Sequence, residues 1–271
     1  MNPVHAGVEL VVFDWAGTTI DFGSRGPVAV FQQVFEAVGL PVSEDEVRVP
    51  MGMEKRAHIR AVLSLPAVAA RWHAARGAAW SEADVDAMYA RFVPIQAEVV
   101  ARFTTLIDGV APVVEALRAR GTRIGATTGY PASVMDIVKP LAAAQGYAPD
   151  LSLASDEIGP SRPSPEGVRM VMRALGDAAP ARTVVVDDSV VGIQAGRAAG
   201  AWAVGVAASG NLVGLAADAL AALPDHERAA LLAAAASQLR DAGAHFVVPT
   251  VADLLPIVET IGRVLAAGST P

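Results

Sequence analysis

Cysteine is absent from the 271 residues. That excludes disulfides, thiolate catalysis and cysteine-ligated zinc, and it is compatible with a reduced cytoplasmic setting. Lysine is nearly absent: of 21 basic residues, only Lys55 and Lys139 are not arginine. In a chain that uses arginine for plain positive charge, a lysine is a candidate for chemistry a guanidinium cannot perform, such as forming an imine. Positive charge is not in excess either. The net charge is −7 and the sequence pI is near 5.2, so neither a nucleic-acid footprint nor a polybasic membrane patch is present. Long apolar runs are missing too, although 53% of residues are hydrophobic and the mean hydropathy is +0.40. The longest uncharged candidate, residues 198–217, is alanine-rich and broken by Gly200, Gly205, Gly210 and Gly214. A membrane span needs about 20 strongly apolar residues, so none is expected. No basic segment precedes the first apolar run, and Asp14 ends that run early, so a signal peptide is not expected.

What is present alternates. Apolar, β-branched runs at Val8–Phe13, Arg123–Thr127, Thr183–Val186, Ala201–Val206 and His245–Val248 read as buried strands. Helical periodicity lies between them, at about 109–120, 131–145, 165–175, 191–199 and 252–266. The pattern predicts an α/β fold, a Rossmann-like parallel sheet with helices on both faces and ligands at the carboxyl ends of the strands. Residues 24–102 break the alternation: they carry helical periodicity and no convincing strand. They read as a helical domain inserted after the first strand and seated over the strand ends. The α/β core is then 1–23 with 103–271, in line with about 150 residues per domain. Residues 212–244 read as two helices around Pro224.

Four segments carry candidate chemistry. Asp14 ends the first strand and leads into Gly17-Thr18-Thr19, where a carboxylate can serve as nucleophile or magnesium ligand and backbone N–H groups can face an anion. Thr127-Thr128-Gly129-Tyr130 offers hydroxyls and a glycine before a helix, a setting that suits an oxyanion. Arg162 lies among Pro160, Pro163 and Pro165, which stiffen a loop that can hold a guanidinium against a phosphoryl group. Asp187-Asp188 follows a valine run; a divalent cation would offset the repulsion of adjacent carboxylates. Taken singly, each is also an ordinary turn, cap or loop.

Their order resembles that of the haloacid dehalogenase superfamily of phosphoryl-transfer enzymes, and the insert resembles that superfamily's cap domain. One position departs. Where superfamily phosphatases carry an acid two residues after the nucleophile, this chain has Ala16, which speaks against protonating an alkoxide leaving group. The segment Val49-Pro50-Met51-Gly52-Met53-Glu54-Lys55-Arg56-Ala57-His58 resembles that of the phosphonatase (phosphonoacetaldehyde hydrolase) family. So do Phe13-Asp14-Trp15-Ala16-Gly17-Thr18-Thr19, Thr127–Tyr130 and Gly243-Ala244-His245-Phe246.

The resemblance implies hydrolysis of the P–C bond of phosphonoacetaldehyde to acetaldehyde and phosphate. Lys55 would form a Schiff base and Asp14 an aspartyl-phosphate. Mg2+ would be held by Asp14, the Ala16 carbonyl and Asp188. Thr128 and Arg162 would bind phosphate, and Ser24, Met51, Gly52, His58 and Tyr130 would line the substrate pocket. His58 lies at i+3 from Lys55, hence on the same helical face, and by the resemblance assists proton transfer. A homodimer through the caps is implied as well, and the cytoplasmic reading rests on the absence of cysteine. The alternatives are a magnesium-dependent phosphatase or phosphomutase, which Ala16 disfavours, and an inactive phosphoryl-binding protein. A second acid expected four residues after Asp188 is Gly192, which leaves open which aspartate meets the metal.

Overall fold

Residues 7–51 and 53–271 are described by a computed structural model. Six parallel strands form one sheet in the order β3-β2-β1-β4-β5-β6. They are β1 (Leu10–Phe13), β2 (Arg123–Thr127), β3 (Leu151–Leu153), β4 (Thr183–Asp187), β5 (Trp202–Val206) and β6 (Phe246–Val248). The strand order reverses direction at β1, which pairs with β2 on one side and β4 on the other. A crevice opens at the carboxyl ends of strands at such a switch point.

Alternation along β1 sorts the helices. Val11 and Phe13 join one apolar cluster with Val113 and Leu117 of α6 (Val110–Ala119), Val134 and Val138 of α7 (Ala132–Ala143) and Val258 of α12 (Leu254–Ala266). Leu10 and Val12 face the other way, onto Val168, Val171 and Met172 of α8 (Glu166–Ala174). Farther along that layer, Ile193 of α9 (Val190–Ala198) meets Leu239 of α11 (Asp225–Asp241) across Ala203. The expected three-layer arrangement is therefore present, and α10 (Ala217–Ala222) and α11 flank Pro224 as read from the sequence. Two short elements were not expected: strand β3 at the sheet edge and helix α2 (Glu44–Arg48).

Among the described residues, five α-helices lie between β1 and α6: α1 (Arg25–Glu36), α2, α3 (Lys55–Ser64), α4 (Pro66–Arg76) and α5 (Glu82–Val100). They bury their own apolar cluster, built on Phe31, Phe35, Ile59, Leu63, Trp72, Met88 and Phe92. Each such side chain contributes roughly 1.5–3 kcal/mol on burial, so the helices have a core distinct from that of the sheet. The chain passes between the two at neighbouring points. Asp21 N–H donates to Thr105 O (3.1 Å) and Ile107 N–H to Thr19 O (3.0 Å). Asp21, Gly23 and Ser24 all have positive φ, and the Asp21 carboxylate accepts the first free N–H groups of α1, from Arg25 and Gly26. Among the described residues no helix is long and apolar enough to cross a membrane.

Candidate active site

Asp14 extends β1 by one residue, its N–H donating to Val186 O at 2.9 Å. The chain then curls so tightly that Trp15 O accepts from the N–H groups of Thr18, Thr19 and Ile20. Gly17 has φ +87°, and a Cβ there would lie 2.3 Å from Asp188 Oδ2, so only glycine fits between the two acidic segments. The Ala16 carbonyl accepts none of the backbone bonds that close this turn. Trp15 anchors it from behind, packing edge-on against Tyr147 (5.0 Å between centroids) and donating to Ser152 Oγ.

Asp14, Asp187 and Asp188 converge at the ends of adjacent strands, with ligand oxygens within 4.8 Å of one another. Desolvation raises the Asp14 pKa to about 7 despite the neighbouring Arg162, and it drives Asp188 well above the usual carboxylate range. Three buried carboxylates form a set of hard oxygen donors, the chemistry that suits a hard divalent cation. The two neighbours at the end of β4 are nevertheless held differently. Asp187 Oδ1 accepts from Ser189 N–H (2.9 Å) and Oγ (2.7 Å), and its Oδ2 pairs with Arg162 at 3.1 Å. Its carboxylate fills the space beside Gly192, where a Cβ would fall 2.0 Å from it. Asp188 Oδ2 accepts from Asn211 N–H (2.7 Å), while among the described residues Oδ1 meets only a long 3.5 Å approach from Thr18 Oγ1.

Arg162 reaches in from the loop after β3. Its Nη1 donates to Asp14 Oδ1 (2.7 Å), and Nη2 donates to Thr127 O (2.9 Å) and Oγ1 (2.7 Å). Burial alone would lower its pKa, but the carboxylates of Asp187 and Asp14 outweigh that and raise it, so it stays a cation. Thr128 Oγ1 accepts from Tyr130 N–H (3.1 Å), which shapes the turn after β2.

Lys55 comes from the opposite side as the first residue of α3, after Glu54, whose carboxylate caps the helix through Arg56 and Ala57 N–H. Only 4% of Lys55 is exposed. Its Nζ lies 5.1 Å from the Tyr130 ring centre and 5.7 Å from that of Phe31. Desolvation pulls its pKa down to about 8, with Asp14 and Glu54 opposing.

One pocket of about 340 Å3 brings together Asp14, Ala16, Ser24, Met51, Lys55, Thr128, Tyr130, Arg162 and Asp188. His58 is not among its lining residues. It stacks on Phe31 (3.8 Å between centroids), and its Nε2 donates to Val47 O at 2.8 Å. Burial, and then the Lys55 charge, push its pKa well down, so the ring is neutral with Nδ1 unpartnered among the described residues. Gly52 lies outside the described residues. Sequence reasoning missed Thr127 as the seat of Arg162, Arg162 as the partner of Asp187, and Asn211 as the prop of Asp188. A threonine beside the chosen Thr128 was the only signal for these.

Residues 8–200 match the family model for haloacid dehalogenase-like hydrolases. The chain is 45% identical over 264 residues to a phosphonoacetaldehyde hydrolase of Paraburkholderia phytofirmans, covering 97% of this chain and 99% of that one. It is 45% identical over 266 residues to a protein of the same name from Aeromonas hydrophila, covering 97% and 95%. The crystal structure of a phosphonoacetaldehyde hydrolase like protein from Oleispira antarctica superposes with a TM-score of 0.96 at 39% identity, over 100% of this chain and 99% of that one.

Proposed function

This chain belongs to the haloacid dehalogenase-like hydrolases, and within them to the phosphonoacetaldehyde hydrolases; from that premise we propose that it hydrolyses the P–C bond of phosphonoacetaldehyde to acetaldehyde and phosphate. One observation carries the reading: a buried amine of lowered pKa and a strand-end carboxylate line the same small pocket.

The two groups solve one chemical problem. Direct P–C cleavage would release a carbanion. The free Lys55 amine attacks the aldehyde carbon, and loss of water leaves an imine beside the carbon that bears phosphorus. Asp14 Oδ attacks phosphorus, the P–C electron pair moves into the imine, and an enamine forms. Protonation at carbon and addition of water release acetaldehyde and restore Lys55. A second water cleaves the aspartyl-phosphate to phosphate. One water is released and two are consumed, so the net reaction uses one. Ala16 follows from this course, because an enamine leaving group does not require the acid that an alkoxide does.

The remaining residues bind and orient. Arg162 exchanges its contact with Asp14 for phosphonate oxygens while Thr127 continues to hold its other nitrogen. Thr128 binds a phosphoryl oxygen, and Ser24, Met51 and Tyr130 shape the aldehyde side. His58, one layer back, keeps Phe31 and thereby Lys55 in place. Mg2+ fits Asp14, Asp188 and the Ala16 carbonyl, and when bound it supplies positive charge that lets a dianionic phosphonate approach a carboxylate. Asp187 serves as an outer support. Residues 24–102 act as a cap over a core of 1–23 and 103–271, and cap closure excludes water from the imine. The family resemblance extends the proposal to a homodimer, and the absence of cysteine is compatible with a cytoplasmic setting.

The test is acetaldehyde release from phosphonoacetaldehyde, with phosphate esters in parallel. Lys55→Arg keeps a cation but removes imine chemistry. It is expected to lower turnover by about a thousandfold or more, on the scale of losing a covalent catalyst, with the fold intact. Near-parental turnover by that variant overturns the mechanism.

A further inference from the structure

Asp188 is held by a backbone N–H whose own residue is gripped from the helical insert. The loop after β5 runs over the strand ends, and its residues 207–211 are buried. Asn211 N–H donates to Asp188 Oδ2 at 2.7 Å. The Asn211 side chain points the other way, where its Oδ1 accepts from Arg48 Nη1 (3.1 Å) and its Nδ2 donates to Arg48 O (3.4 Å). Arg48 is the last residue of α2, and it binds more than asparagine. Nη1 also donates to Gly23 O (3.0 Å), at the crossing from sheet to insert, and Nη2 donates to Gly214 O (2.9 Å) and Glu44 Oε2 (3.4 Å). Gly214, at φ +71°, leaves room for the guanidinium, since a Cβ there would sit 2.6 Å from Arg48 Cζ. On its other side the same loop is tied to the Asp14 turn, with Ser209 Oγ donating to Gly17 O at 2.8 Å.

One planar cation thus joins three segments: the insert, the turn at the crossing from sheet to insert and the loop that fixes a carboxylate of the acidic cluster. A guanidinium is suited to this because its donors form a rigid fork, and bonds from a charged donor to carbonyls are stronger than neutral ones. We infer that Arg48 and Asn211 form a latch by which seating of the insert sets the position of Asp188, so that divalent-cation affinity is coupled to the seated state. Arg48 is a positioning residue: it acts through Asn211 and does not touch the reacting atoms. The inference rests on the proposed function in taking Asp188 as a ligand of Mg2+. When the insert lifts, Arg48 leaves, Asn211 loses its side-chain anchor, and Asp188 Oδ2 loses a fixed donor. Linkage makes the coupling reciprocal: a bound cation favours the seated insert.

The test is Mn2+ binding to the full chain without substrate, read from the electron-spin signal of free Mn2+. The proteins are the parent, Arg48→Ala, Arg48→Lys, Asn211→Ala and, as a control, Arg60→Ala. Arg60 lies on the same insert but pairs with exposed Glu82. Arg48→Ala and Asn211→Ala are expected to weaken Mn2+ binding by about tenfold, the scale of a hydrogen bond to a charged group. Arg48→Lys loses the fork and weakens it less, and Arg60→Ala leaves it unchanged. Should Arg48→Ala fail to fold, Asn211→Ala and Arg48→Lys still decide. Variants with lowered melting temperature but parental Mn2+ affinity overturn the latch, because a purely structural contact would behave that way. A parent that binds no Mn2+ overturns the metal site of the proposed function itself, a distinguishable result.

Discussion

The Lys55 amine lies between two aromatic faces that offer an ammonium some cation–π attraction and little water. Its pKa of about 8 lies below the ordinary 10.5, so the free amine predominates once the pH exceeds about 8. Borohydride capture of the substrate imine at Lys55 is expected to rise as pH climbs through neutrality and to level off above about 8. A curve still climbing steeply near pH 10.5 would mark an ordinary hydrated lysine. Asp14, Lys55 and Asp188 were legible because each stands beside local punctuation: a strand end, a proline–glycine segment, a doubled acid. The difference between Asp187 and Asp188 was not. It arises from Gly192, one helical turn on, whose missing side chain gives the Asp187 carboxylate its place. A linear string does not display such a complementarity between a helix and the strand before it. Nor does it display the reach of Arg162 across 148 positions to Asp14.

Among the elements, α3 shows how local structure sets the chemistry of its first residue. Glu54 satisfies the N–H groups of Arg56 and Ala57, and its negative charge favours the Lys55 ammonium. Glu54→Ala is therefore expected to cost about 1 kcal/mol of stability in urea denaturation, the typical loss of a helix cap. The same change is expected to move the imine-capture curve to lower pH, because the removed charge had raised the Lys55 pKa. A shift to higher pH would contradict that assignment. The long elements were readable because their apolar spacing persists over several turns or a full strand. Strand β3 was not: it has three half-buried residues, too few for a period to emerge. Helix α2 has five residues and buries only Val47, and its Ser43–Glu46 capping box was the one available sign.

At the level of the whole molecule, the strand order places the ends of β1 and β4 side by side, so Asp14 and Asp187 meet although 173 positions separate them in the chain. The alternation of strands and helices made the parallel sheet legible, and the run of helices between β1 and β2 stood out because the alternation stops there. Which insert residues touch the sheet was not legible, since Arg48 reaches Gly23 and Gly214 through carbonyls that any sequence would supply, and its side-chain partner Asn211 lies 163 positions away. The proposed homodimer predicts a sedimenting species of twice 27.8 kDa at micromolar concentration. A species of 27.8 kDa alone at every concentration tested would remove the dimer from the proposal.

The scarcity of lysine also has a practical side. Lys55 is sealed in the pocket, and Lys139 sits half-exposed on α7, outside the residues that line it. A resin bearing activated esters can therefore grasp the folded chain by Lys139 and by no other side-chain amine. Tethered in this way, the immobilised molecules would share a narrow choice of orientations and keep their one reactive nitrogen untouched.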